Sequence, residues 1–362
     1  MKKKIISIII IVAILAGSLY FIQRLLEPKY ATSIIEGRLT QEYYDYAHDN
    51  DVLMVGDCEL YENISPIKMW EDYGITSYVR GSGQQLIWQS YYLLEEALTY
   101  EKPKVVVFNV LSMKYNEPQN EAYNRLTLDK MRWCPSKWNA INASMTDDEE
   151  FISYVFPLLR YHSRWSELTS EDFEYLFTNK KFFHQGYLMR VDVRPVTSYP
   201  AKIPLADYNF GANAYKYLDM IREICEKNNI PLVLVKAPSI SPVWYDEWDA
   251  QMVDYAEKYN LQYINFLNLV SEVGIDYNTD TYDGGLHLNL SGAEKMATYF
   301  GKILKDTYGL TDHRLLADEH DKQIVSEWEE KVDFYNWMIA DQYREMEEYG
   351  YLKSYGAKAP EQ

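Results

Sequence analysis

The fold is decided by residues 51–110. Asp51-Val52-Leu53-Met54-Val55-Gly56 is a short apolar run ending in glycine, which reads as a strand buried on both faces of a parallel sheet. Ile75 to Val79 forms a second strand. Lys104-Val105-Val106-Val107-Phe108-Asn109-Val110 is a third, strongly β-branched. Between them, residues 59–73 read as a turn and helix, with Ser65-Pro66 as cap and first-turn proline. Gln84 to Leu98 is an apolar-rich helix. This strand–helix alternation predicts a parallel α/β sheet.

Working outward, the alternation stops at about 112 and resumes at about 207. The stretch between is aromatic and mostly helical, as in FISYVFPLLRYHSRW (151–165), and reads as a large insertion or lid. A helix at 211–228, a strand at Pro231–Lys236, a helix at 245–259 and a strand at Tyr263–Phe266 follow. The last helix runs from Leu290 to Lys305, with Ser291 and Glu294 as an S-x-x-E capping box. The expected fold is a three-layer α/β/α sandwich over residues 51–311, with a central parallel sheet of about five strands. Residues 312–362 are very acidic. Ile324, Trp328, Val332, Tyr335, Ile339 and Tyr343 make one apolar stripe on a helix of about thirty residues. Such a stripe docks on the parent domain or serves a partner.

Lys2-Lys3-Lys4 precede an apolar run from Ile5 to Ile22. Eighteen residues reach ~27 Å, enough for a bilayer core. Residues 1–26 read as an uncleaved anchor and 27–50 as a linker. A cleaved signal peptide is the rival reading, but Ile14 occupies the position where its exit near Ala16-Gly17 needs a small side chain. The positive-inside rule puts the N-terminus in the cytoplasm and the main domain outside.

Acidic residues number 54 against 36 Lys plus Arg, a formal charge of −18, which argues against nucleic-acid binding. The 34 tyrosines and 9 tryptophans suit a surface that meets sugars, lipid headgroups or proteins, or reflect lineage composition. Cys58, Cys134 and Cys225 allow one disulfide and one free thiol.

Four polar clusters stand where chemistry could occur. They are Gly56-Asp57-Cys58-Glu59 after the first strand, Arg80-Gly81-Ser82-Gly83-Gln84-Gln85 after the second, Asn109 at the end of the third, and Asp280 to Asn289 before the last helix. In doubly wound sheets the carboxyl ends of the strands line one crevice, where all four could meet. No zinc, calcium, phosphate-loop or dinucleotide motif is present, so no metal or cofactor is expected.

This arrangement resembles the SGNH/GDSL hydrolase superfamily, and within it the membrane-anchored DltD-like branch that acts beside membrane-bound O-acyltransferases on cell-wall polymers. Gly56-Asp57-Cys58-Glu59 stands in the place of that family's G-x-S block, Gly81 and Gly83 match its second block, and His287 fits its late Asp-x-x-His block. The resemblance implies a flavodoxin-like sandwich and an acyl-enzyme mechanism. Two departures stand out. The nucleophile position is Cys58 rather than Ser. The position three before His287 is Gly284, so the third member is Asp283, or Asp280 as second choice.

On this reading Cys58 is the nucleophile and His287 the base. The amides of Cys58 and of Gly81 or Gly83 hold the oxyanion, with Asn109 as side-chain donor. The thiolate is expected to be populated near neutral pH, because a helix start and a histidine favour the anion. Asp57 is expected to be a turn or cap residue, and Glu59 either a supporting partner or solvated. His48, His162 and His184 read as structural or exposed, and His313 and His320 as solvated in the acidic tail. Two functions compete: an extracytoplasmic acyltransferase or esterase on a surface glycopolymer, and a non-catalytic accessory protein that binds polymer and docks on a membrane-bound O-acyltransferase. Alternatively, Cys58 is a packing residue and His287 a helix-entry histidine.

Overall fold

The structure is a computed structural model that describes residues 2–29, 35–46, 48–178 and 182–355. Parts of the expected linker (30–34 and 47), of the insertion (179–181) and of the tail (356–362) lie outside the described residues. Five strands form one parallel sheet: β1 Val52–Gly56, β2 Ser77–Gly81, β3 Val105–Asn109, β4 Leu232–Lys236 and β5 Gln262–Asn265. Their order is β2-β1-β3-β4-β5, the flavodoxin-like arrangement with a switch point between β1 and β3.

Side-chain alternation divides the core into two layers. Val52, Met54, Val105, Val107, Val233 and Val235 face one side, with helices Pro66–Tyr73 and Leu290–Tyr308. Leu53, Val55, Val106, Phe108, Leu232 and Leu234 face the other, with helices Ile87–Ala97, Ala212–Asn228 and Asp246–Tyr259. Both faces are apolar because both are covered, which is why each strand reads as a continuous run. The protein is thus a three-layer α/β/α sandwich.

Ser65 caps the Pro66–Tyr73 helix as expected, accepting from the Lys68 amide at 3.2 Å. The last helix differs. Its cap is Asn289, which accepts from the Gly292 amide, while Ser291 turns to Asp280 at 2.8 Å and Glu294 accepts from Tyr335 at 3.0 Å. The capping box yields because both side chains have stronger tertiary partners.

The stripe helix spans Glu319–Tyr349 and docks on the domain, stacking Trp328 on Trp70 at 5.0 Å. Its buried face is Ile324, Trp328, Lys331, Tyr335, Met338, Gln342 and Glu345, and Tyr343 is exposed. A strict i+4 row drifts around a helix, whereas alternating steps of four and three stay on one face. His313 is also not solvated. It is buried, with Nδ1 2.6 Å from Asp321 and Nε2 3.2 Å from Asp51. All three cysteines are free thiols, so the one disulfide they allow is not formed.

The insertion carries helices Glu121–Leu128, Pro135–Ser144, Phe151–Val155, Leu158–Tyr161 and Ser170–Phe177. Its final stretch is more than a lid. Tyr187, Leu188, Met189 and Val191 enter the main core. The backbone there bonds Val79 to Gln185 (3.1 Å), Leu188 to Tyr61 (2.8 Å) and Arg194 to Thr281 (2.9 Å).

Candidate active site

β1 ends at Gly56, and the chain turns at Asp57 into the short helix Cys58–Tyr61. Asp57 is the cap, accepting from the Glu59 amide at 3.1 Å. The turn sits close to β3: a Cβ on Gly56 would come within 2.9 Å of the Asn109 Cβ. Glycine is needed there for that approach. Cys58 is half-buried at the start of the turn, at the carboxyl edge of the sheet.

His287 arrives on the loop before the last helix. Asn63 ties the two segments together, accepting from the Leu288 amide at 2.7 Å and donating to Ser239 at 3.0 Å. His287 Nδ1 lies 2.7 Å from Asp283 Oδ2. The other Asp283 oxygen accepts from the His287 amide at 2.8 Å and the Leu286 amide at 3.1 Å. Gly284 (φ +83°) and Gly285 (φ +99°) absorb the extra residue between acid and histidine. Cys58 Sγ, a His287 ring nitrogen and a Glu62 oxygen all lie within 4.8 Å of one another. His287 Nε2 is buried, with no hydrogen-bond partner among the described residues. With Nδ1 held by Asp283, Nε2 is the ring nitrogen left without a partner among the described residues.

Asp280 is not part of this set. It is buried against Lys295 (2.6 Å), Ser291 (2.8 Å) and the Asp276 amide (2.8 Å). Burial opposes its ionisation, but the Asp276 amide, Lys295 and Ser291 outweigh burial and hold the carboxyl below its usual range. Asp280 anchors the loop to the last helix.

Asn109 is turned inward. Its amide nitrogen donates to Asp57 at 2.9 Å and Glu59 at 3.3 Å. Both N–H groups face carboxylates, which leaves none for an oxyanion. Gly81 is paired with Gly56 across the β1–β2 ladder, and Gly83 lies against the Tyr123 ring of the insertion. Arg80 points away, into a buried pair with Glu96 at 2.9 Å.

Three residues of the site escape motif reading. Glu62 is four residues after Cys58, on the same side of the turn. It is buried, accepts from the Tyr282 hydroxyl, and lies 3.5 Å from His287 Nδ1. The Cys58-x-x-x-Glu62 spacing on a helical turn was its available signal. Tyr282 stacks on His287 at 5.9 Å between ring centres, under the Arg190 guanidinium. Lys236, fully buried at the end of β4, pairs with Glu59 at 2.8 Å and donates to the Ala237 carbonyl at 2.8 Å. Its only signal is a lysine closing an apolar strand.

The electrostatics are dominated by carboxylates. Burial, followed by the nearby Glu59, raises Asp57 to about 6. Burial pushes the Cys58 thiol up to about 11; His287 pulls it down, and Asp57 and Glu62 add to the rise. Burial thus works against the expected resting thiolate, and His287 works for it. Burial disfavours the His287 imidazolium, but Glu62, Cys58 and the Asp283 bond outweigh burial and raise it well above its ordinary value. Burial favours the neutral thiol and the imidazole is readily protonated. Cys58, Glu62 and His287 are also a donor set that a divalent cation could use, with Asp283 behind the histidine in the usual carboxylate–imidazole order.

No protein-family description and no curated protein matches the sequence. Among solved structures, a Bacteroides fragilis chain described as a "putative acylhydrolase" is similar at 12% identity. The match covers 77% of this chain and 96% of that one, with a TM-score of 0.37. A likeness that weak carries nothing about chemistry, and the fold rests on the strand order itself.

Proposed function

We propose that the protein is a membrane-anchored, extracytoplasmic acyltransferase or esterase that acts on a cell-surface glycopolymer through Cys58, His287 and Asp283. One observation carries the reading: a thiol at a strand-end turn beside an imidazole whose Nδ1 is held 2.7 Å from a carboxylate. The helix Lys2–Leu26 is long and apolar enough to span a bilayer and serves as the anchor, with the N-terminus in the cytoplasm. A membrane-bound O-acyltransferase is the proposed acyl supplier.

The chemistry proceeds in two halves. Cys58 sulfur attacks the acyl carbonyl as its proton passes to His287 Nε2. The tetrahedral intermediate collapses, the carbon–oxygen bond to the leaving group breaks, and that oxygen takes the proton from His287. A polymer hydroxyl or water then attacks the thioester and gives its proton to His287. The carbon–sulfur bond breaks, and the proton returns to the thiolate. The amides of Cys58 and of Gly81 or Gly83 are the proposed oxyanion donors.

The raised thiol favours a second reading, an accessory protein that keeps the fold, binds polymer and docks on the acyltransferase. Replacing Cys58 separates the two. In cells, Cys58→Ala should abolish polymer acylation while the folded protein stays at the membrane. Full acylation by that variant removes catalysis by Cys58 and leaves the accessory role.

A further inference from the structure

A cleft of about 590 Å³ opens where the Lys2–Leu26 helix meets the domain, and none of its walls belongs to the Cys58 site. Its lining carries Arg24, Lys29, Arg38, Lys130, Arg132 and Lys137 against three carboxylates. That excess of positive charge occurs in a chain whose formal charge is −18. Two of the carboxylates are engaged: Asp45 faces Arg38 at 3.8 Å, and Asp129 faces Arg125 at 3.3 Å and the Tyr161 hydroxyl at 2.5 Å. Arg24, Lys29, Arg132 and Lys137 are in no ion pair among the described residues. Lys137 Nζ donates to the Met131 carbonyl at 2.8 Å, Lys29 to the Glu27 carbonyl at 2.7 Å, and Arg132 to the Tyr44 carbonyl at 3.1 Å. Carbonyls solvate these charges without neutralising them. Burial lowers both Lys29 and Lys137 to about 8; Lys130 adds to the fall, and Asp172 and Glu27 beside Lys29, and Asp129 and Glu27 beside Lys137, offset it only in part.

The depth of the cleft identifies what enters it. The apolar run ends at Ile22, and Arg24 follows ~3 Å further along the helix axis. That is headgroup level, just beyond the hydrocarbon. Tyr20 and Trp133 line the same cleft, as amphipathic rings do at a membrane interface. The helix also packs on the Leu158–Tyr161 and Ser170–Phe177 helices, and Arg164 donates to the Leu26 carbonyl at 2.6 Å. Trp165, Phe173 and Phe177, on or beside those elements, are exposed.

We propose that this cleft binds the phosphate of an anionic lipid headgroup in the leaflet beneath the domain and so holds the domain against the membrane. The proposal shares with the functional reading only the assignment of Lys2–Leu26 as the membrane span. The phosphate oxygens would take Arg24 and Arg132, with Lys29 and Lys137 behind them.

The test uses the full chain in a non-ionic detergent, with retained lipid counted by native mass spectrometry. Palmitoyl-oleoyl phosphatidylglycerol should be retained in preference to the phosphatidylcholine of the same chains. Arg24→Gln with Arg132→Gln should weaken retention about fivefold per charge removed. Arg24→Lys with Arg132→Lys should restore most of it, which separates lost charge from lost folding. Cys58→Ala should bind lipid as the unaltered protein does, so failure of the acyl-transfer reading and failure of this one are distinguishable. Equal retention of the two lipids, or no change in the Gln variant, overturns the proposal. Displacement of the lipid by millimolar inorganic phosphate also overturns it, by making a soluble phosphate the occupant.

Discussion

Asp283 holds His287 Nδ1 at 2.7 Å across four residues of chain, while Asp280, seven residues before the histidine, is committed to Lys295 at 2.6 Å. The two aspartates therefore answer to different measurements. Asp283→Asn should lower acyl-transfer rate by about 10⁴-fold, because the imidazole loses the carboxylate that fixes its tautomer and stabilises its charge. Asp280→Asn should leave the rate nearly intact and lower unfolding free energy by about 1–3 kcal/mol, the scale of a charged hydrogen bond. Steady-state kinetics and urea unfolding on both variants check this. Equal rate losses would mean that the loop, not the Asp283 bond, orients the histidine.

Thiol reactivity should be slow at neutral pH. With Cys58 pushed up to about 11, the free thiolate is a small minority at pH 7. Iodoacetamide labelling of Cys58 should accelerate as pH rises toward 10. Cys225, buried and raised to about 12, should stay unlabelled in the folded protein. Rapid labelling of Cys58 at pH 7 would show that His287 stabilises the thiolate by more than burial opposes it. Cys58→Ser should keep partial activity if the base and oxyanion donors are in place, since serine depends on them more than cysteine does.

Much of this was legible in the sequence because the relevant signals are local. The sheet follows from Val52–Gly56 and Val105–Asn109, whose apolar runs need no partner to be recognised. The Gly284-Gly285 pair announces a loop that can take positive φ. What escaped depends on three-dimensional neighbours. Asn109 stands at the strand end where an oxyanion donor would be sought, yet two buried carboxylates claim its amide. His313 sits in an acidic stretch but meets Asp51, far away in the chain, across the domain. Residues 185–196 have no periodicity at all, and they are ordered by bonds to β2 and to the His287 loop.

The buried pair of Lys236 and Glu59 makes a stability prediction. Both side chains are fully buried at 2.8 Å, and Glu59 also accepts from Asn109. Lys236→Met leaves Glu59 without its counter-charge beside Asp57. It should destabilise by about 3–5 kcal/mol in urea unfolding. Glu59→Gln added to Lys236→Met should recover part of that loss, because the uncompensated charge is gone. A double variant no better than the single one would assign the loss to packing instead.

Metal dependence separates two uses of the same donors. Cys58, Glu62 and His287 could take zinc, but the acyl-transfer reading needs the thiol and Nε2 free. Added Zn²⁺ should therefore inhibit, and prior treatment with a chelator should leave activity unchanged. Loss of activity on chelation, restored by zinc, would make the cluster a metal centre.

Glu62 should set the pH range of the reaction. It lies 3.5 Å from His287 Nδ1 and within reach of the thiol, so its charge favours the imidazolium and disfavours the thiolate. Catalysis needs the neutral imidazole as base. The acid limb of the kcat/KM profile should thus lie above the ordinary histidine value of about 6.5, with activity rising as pH increases through it. Glu62→Gln removes one negative charge. The imidazolium is then less stabilised, so the limb should move toward acid; the thiol is less opposed, so alkylation of Cys58 should speed up at fixed pH. Both shifts have one cause and must appear together. A limb that stays in place while alkylation quickens would mean that Asp283 alone governs the histidine, with Glu62 acting only on the sulfur.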